Sequence, residues 1–146
     1  VDLMKSLLES GAEIDTMDKR RGFTALMGAV WNNQVEAVTL LLDKGAAVDQ
    51  KEPNGCTSLF WAANRGWDPL IPLLAGRGAD VDSANNKGVT PLIIASAAGH
   101  TASVDALLMA GADPALKDGK GMTALEWAQK HEHQEIVELL KAAATN

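Results

Sequence analysis

Three stretches of this 146-residue chain hold side chains that could do chemistry, and each lacks a partner that the chemistry needs. His131-Glu132-His133 offers two imidazoles beside a carboxylate. No third ligand lies nearby, and Gln134 and Glu135 stand where an H-E-x-x-H zinc motif needs its spacing and second histidine. Asp118-Gly119-Lys120-Gly121-Met122-Thr123 has the residue types of a phosphate loop without the G-x-x-x-x-G-K-[ST] spacing or a buried strand before it, so it reads as a turn. Cys56, the single cysteine, has no histidine in register to activate it; its turn position predicts at most a reactive surface thiol. Asp15, Asp49 and Asp82 recur at a nearly fixed step, which assigns them to loop geometry and not to acid–base work. No catalysis, metal or cofactor is expected.

Binding chemistry is better represented. Lys19, Arg20 and Arg21 are consecutive bases followed by Phe23 and Trp31, in a chain whose formal net charge is −6. The length supports one domain with a core, and 47% apolar with 22% charged residues excludes a disordered chain. No apolar run approaches the ~20 residues of a bilayer span, and the N-terminus lacks the regions of a signal peptide. A lone cysteine suits a reducing compartment. These features predict an intracellular, cytoplasmic or nuclear, protein without membrane insertion. The net acidity argues against general nucleic-acid binding.

The elements that carry these residues repeat. Gly22-Phe23-Thr24-Ala25-Leu26 returns as Gly55-Cys56-Thr57-Ser58-Leu59, Gly88-Val89-Thr90-Pro91-Leu92 and Gly121-Met122-Thr123-Ala124-Leu125, at a strict step of 33 residues. Gly11 and Gly45 are instead 34 apart, and the extra residue falls in the loop that holds Lys19, Arg20 and Arg21. Such self-similarity marks a solenoid whose units bury their apolar faces against neighbours. Within each unit Thr24, Thr57, Thr90 or Thr123 is the expected N-cap of a first helix, with Pro91 at its first position. Ala29, Ala62, Ala63, Ala95 and Ala128 let that helix approach the next repeat. A second apolar helix follows, ended by Gly45, Gly78 or Gly111 in the left-handed conformation. Asp68 is the expected N-cap of one shortened second helix, with Pro69 at its start and Pro72 inside.

This pattern resembles the ankyrin repeat family, over essentially the whole chain. The resemblance implies an all-α repeat solenoid of stacked helix-turn-helix units with projecting β-hairpin-like loops, four repeats plus an N-terminal half repeat. The half repeat, a second helix and turn, covers 1–15; repeats cover 16–48, 49–81 and 82–114; a C-terminal capping repeat covers 115–146. Val1 to Ser10 aligns with Val35 to Lys44, which gives the expectation of a C-terminal piece of a longer array. The family's histidine after T-P-L is replaced by Met27, Phe60, Ile93 and Glu126, so its Thr–His hydrogen bonds are not expected. Thr123 and Glu126 read as a capping box instead.

The resemblance also implies that partners meet the loop tips and the inner side of the first helices. Carried over by position, the tips supply Lys19, Arg20, Arg21 and Phe23; then Lys51, Asn54 and Cys56; then Asn86, Lys87 and Val89; then Lys120 and Met122. The helices supply Trp31 and Asn32, then Asn64 and Arg65. The four tips (18–23, 51–56, 84–89 and 117–122) hold seven bases and three acids, a net +4, which leaves −10 for the remainder. A basic rim over an acidic body steers an acidic partner to the tips. Trp61 and Trp127 share one repeat position beside alanines and are expected in inter-repeat packing; Trp31 stands apart as either a binding anchor or a cover for its helix end. The leading function is a monomeric, non-catalytic protein-interaction module for an acidic or mixed acidic and apolar segment. The alternatives are a regulatory or targeting domain of a larger protein, and a nucleotide site with Trp31 stacking a base beside Lys19–Arg21.

Overall fold

In this computed structural model, residue 6 and residues 8–145 are described; most of the half repeat's helix, expected over residues 1–10, lies outside them. Among the described residues from Ala25 onward, eight helices form four pairs: α1 (Ala25–Trp31) with α2 (Val35–Asp43), α3 (Ser58–Arg65) with α4 (Leu70–Ala75), α5 (Pro91–Ala98) with α6 (Thr101–Met109), and α7 (Ala124–Lys130) with α8 (Gln134–Ala144). The first helices α1, α3, α5 and α7 pack in one row, and α4, α6 and α8 pack in a second. No strand occurs among the described residues; the loops carry a single antiparallel bridge, Lys117 with Thr123. The chain is thus a stack of helix pairs.

Local chemistry starts each unit. The hydroxyls of Thr24, Thr57, Thr90 and Thr123 accept from the N–H of Met27, Phe60, Ile93 and Glu126 at 3.2–3.3 Å, each bond contributing about 1 kcal/mol. Thr123 and Glu126 close the expected capping box. Met27, Phe60 and Ile93, which stand where the family has histidine, are buried in the core instead.

The core is layered by the repeat. Val38, Ile71, Val104 and Val137 form one layer, and Leu41, Leu74, Leu107 and Leu140 another, all nearly or completely buried. Ala29, Ala62, Ala95 and Ala128 are at most 3% exposed, so the first row packs with almost no side chain between its helices. Side chains also tie one repeat to the next. Asp15, Asp49 and Asp82 accept from the N–H of Ala47, Asp80 and Asp113, at 2.9–3.1 Å, so these carboxylates bridge units as well as shaping loops. His100 and His133 donate through Nε2 to the carbonyls of Asn64 and Ala97 in the preceding repeat. Each ring lies so close to Gly66 or Gly99, both at positive φ, that a Cβ there would come within 2.8 Å of it.

One expected cap is corrected. Asp68 does not cap α4, which begins after Pro69 without a side-chain cap bond. The donors that an aspartate would satisfy are already used or missing: Leu70 and Ile71 donate to the carbonyls of Trp67 and Asp68, and Pro69 and Pro72 have no N–H. The helix has only six residues, consistent with the shortening expected from its prolines.

Candidate partner-binding face

Each loop tip, or finger, is organised by one polar side chain that accepts from the loop's own backbone N–H groups. Asp18 accepts from the N–H of Arg20, Arg21 and Phe23. Glu52 accepts from Asn54 and Cys56, and Asn85 from Lys87 and Val89. Asp118 accepts from Lys120, Met122 and, at 2.8 Å, the indole N–H of Trp127. The Arg21 N–H bond above all holds Asp18 below its ordinary pKa. Burial alone would raise Glu52 and Asp118, but their N–H partners outweigh it and hold both carboxyls low. The three finger acids are therefore committed to the loops, while Lys19, Arg20, Arg21, Lys51, Lys87 and Lys120 are exposed.

The first finger differs from the others. In the later three, the glycine N–H closes a turn to the carbonyl three residues back (Gly55 to Glu52, Gly88 to Asn85, Gly121 to Asp118). In the first, Gly22 bonds to Asp18, four residues back, so the extra residue widens the turn that presents Lys19, Arg20 and Arg21. The later fingers are also tied tip to tip, by Asn86 N–H to the Asn54 carbonyl at 2.9 Å and Gly119 N–H to the Lys87 carbonyl at 2.8 Å. Pro53 holds the equivalent position in the second finger and has no N–H to give, so no such bond reaches the first finger among the described residues.

Beyond the fingers, rings run along the first helices. Phe23 lies 5.9 Å from Trp31 and 5.6 Å from Trp61, and the two indoles are 5.0 Å apart at a 70° tilt. The Arg65 guanidinium sits over Trp31 at 4.7 Å and Trp67 at 5.7 Å. Trp31 is thus part of an inter-repeat cluster and half-buried, and does not stand apart. Further along, Val89, Ile93, Ile94, Ala97 and Trp127 line a groove of about 530 Å³ whose rim carries Lys87 and Lys120. Lys120 and Lys130 lie over the Trp127 ring at 5.4 and 4.8 Å. Phe23, Trp31, Arg65, Lys87, Val89 and Lys120 therefore fall on ring or groove surfaces.

Other expected contact residues serve the scaffold. Asn86 Nδ2 donates to the Pro53 carbonyl, Asn54 Nδ2 to Glu52, and Lys51 Nζ to the Ala84 carbonyl. Asn32 bonds back to Gly28, Asn64 receives His100, and the Met122 N–H is held by Asp118. Cys56 requires correction: it is 4% exposed, and burial, reinforced by Glu52, pushes its thiol up to about 12. It is neither a surface contact nor a reactive thiol, because its N–H is drawn toward Glu52 and the side chain turns in with it. His133 is committed to Ala97, and His131 stacks on Trp127 at 5.7 Å. Trp61 packs between repeats against Phe23 and Trp31, as expected from its alanine neighbours, and it shares with Ile94 and Trp127 one repeat position, Gly28-Trp61-Ile94-Trp127, where three of four copies are large and half-buried.

The family model described as ankyrin repeats (3 copies) matches residues 1–85, 27–118 and 59–146. The chain belongs to the ankyrin repeat family. Ankyrin repeats are generally non-catalytic protein-interaction modules. Similar proteins include the B-cell lymphoma 3 protein homolog of Mus musculus, 44% identical over 64 residues that span 44% of this chain and 14% of that protein. The 2-5A-dependent ribonuclease of Homo sapiens is 38% identical over 66 residues, 45% of this chain and 9% of that protein. This ankyrin chain therefore matches a small part of either relative. No helix among its described residues is long and apolar enough to cross a membrane.

Proposed function

We propose that the chain is a non-catalytic protein-interaction module that binds an acidic or mixed acidic and apolar segment on the face made by the fingers and first helices. The observation that carries this reading is the disposition of charge: Asp18, Glu52 and Asp118 are taken up by backbone N–H groups of their own loops, while Lys19, Arg20, Arg21, Lys51, Lys87 and Lys120 are exposed, and Lys120 lies over the half-buried Trp127 ring. Rings that keep part of their surface in water, next to guanidinium and ammonium groups that have no carboxylate partner, have the composition of an interface anchor. A regulatory or targeting role within a longer protein is the second reading, supported by the small share of both relatives that the chain spans.

Selection of random peptides displayed on phage tests the main reading, with the chain and an Arg20→Glu, Arg21→Glu, Arg65→Glu variant of equal thermal midpoint as baits. The expected selection is of acidic sequences with at least one aromatic or aliphatic residue, lost with the variant. The same sequences from both baits, or basic ones, would overturn it. Binding of a short oligonucleotide in place of peptides would favour the nucleotide site at Trp31 and Lys19–Arg21, although Arg65 already covers part of that indole.

A further inference from the structure

Trp61 and Trp127 occupy the same position in repeats two apart, with Ile94 between them, and all three are half-buried on the first-helix row. At one end Trp61 packs with Trp31, and Arg65 lies over Trp31. At the other, Trp127 forms a wall of the groove whose floor is aliphatic. The only acid there, Asp118, is used by the N–H groups of Lys120 and Met122 and by the Trp127 indole. The charges left to a ligand are therefore positive, since the one ion pair among the described residues joins Arg77 and Asp43 elsewhere.

Resting on the function proposed above, we infer that these are two anchor stations for one extended segment of a partner protein. One apolar side chain enters the groove beside Trp127, a second lies against Trp31 and Trp61, and carboxylates near them meet Lys87 and Lys120 at one end and Arg65 at the other. The spacing follows from the stack. Adjacent packed helices lie about 8–10 Å apart, so the two stations, on α3 and α7, are separated by roughly 16–20 Å. An extended chain covers about 3.3–3.6 Å per residue, which puts the anchors about five or six residues apart. Val89, Ile93, Ile94 and Ala97 beside Trp127 make most of the groove lining apolar, which suits an apolar side chain better than the polar edge of a nucleobase.

Four tryptophans give four indole N–H resonances, so nitrogen-labelled protein reports both stations at once by NMR. The probes are three synthetic peptides: a phenylalanine and a leucine five residues apart with aspartates and glutamates around them, the same composition with the two anchors adjacent, and the spaced peptide with lysines in place of acids. The spaced acidic peptide is expected to shift the Trp31 and Trp127 resonances with one common Kd. It should bind at least about tenfold tighter than the adjacent-anchor peptide, because the second contact becomes intramolecular. A Lys87→Glu, Lys120→Glu variant, both sites exposed, should lose the Trp127 shift. If acidic peptides bind but move one station only, or without regard to spacing, the two-station inference is wrong and the acidic-segment reading stands. If neither acidic peptide binds, or the lysine peptide or a short oligonucleotide binds better, both are wrong.

Discussion

Two acidic side chains of the second finger, one ionised and one neutral, are buried in one small space. Glu52 is buried, and its two oxygens take the N–H groups of Asn54 and Cys56 and the Asn54 side chain. Glu52→Gln replaces one acceptor oxygen by a donor facing donors, and should cost about 1–3 kcal/mol at neutral pH, read from the urea midpoint. Because the folded carboxyl is held below its ordinary range, its stabilisation is complete above that range and is lost as pH falls through the lowered pKa. The gap between parent and variant should therefore narrow in acid; a constant gap would show that the charge of Glu52 is not what matters. Cys56 follows from the same burial. With its thiol pushed up to about 12, roughly one molecule in ten thousand is thiolate at pH 8. A disulfide reagent should modify it only as fast as the chain unfolds, and rapid labelling of the native chain would contradict its placement. The sequence exposed the turn but not this residue, because the inward bond to Glu52 depends on a side chain four positions away.

At the scale of elements, the 33-residue step made the helix pairs, their threonine caps and their closing glycines legible, since each depends on residues within one turn. What lay between elements was less so. Asp15, Asp49 and Asp82 were readable as periodic, while their bonds to the next repeat needed the stack itself. The same holds for the fingers, where the distinction between Pro53, Asn86 and Gly119 acquires meaning only when tips lie side by side. That distinction makes a prediction for hydrogen exchange. The amides of Asn86 and Gly119, bonded across fingers, should be better protected than those of Arg20 to Gly22, whose bonds stay within a single widened loop. Equal protection would mean that the first finger is held by something other than the tip-to-tip bonds. The extra residue and the missing donor act together, leaving the most basic finger the least tied to its neighbours.

For the whole molecule, the row of first helices presents rings and outward bases while acids dominate the rest of the chain. The sum of charges by position was visible in the sequence, and the structure sharpened it by engaging Asp18, Glu52 and Asp118 with N–H groups of their own loops and burying the last two. The continuity of Phe23, Trp61, Trp31 and Arg65 was not visible, because these residues come from different repeats and meet only through stacking. Recognition on this face should be directional and dependent on salt, since exposed charges are screened within about a Debye length, ~8 Å at physiological ionic strength. The most direct test compares binding of an acidic, phenylalanine-containing peptide to the parent, to a finger reversal (Lys87→Glu, Lys120→Glu) and to a reversal on the second helices (Glu36→Lys, Asp105→Lys), in low and high salt. All four positions are exposed. The finger reversal should weaken binding at least about tenfold in low salt, equivalent to about 1.4 kcal/mol, with the loss shrinking in high salt, while the second-helix reversal leaves affinity unchanged or slightly raised. Equal weakening by both reversals, or none by the finger reversal, would contradict the assignment of this face as the binding surface.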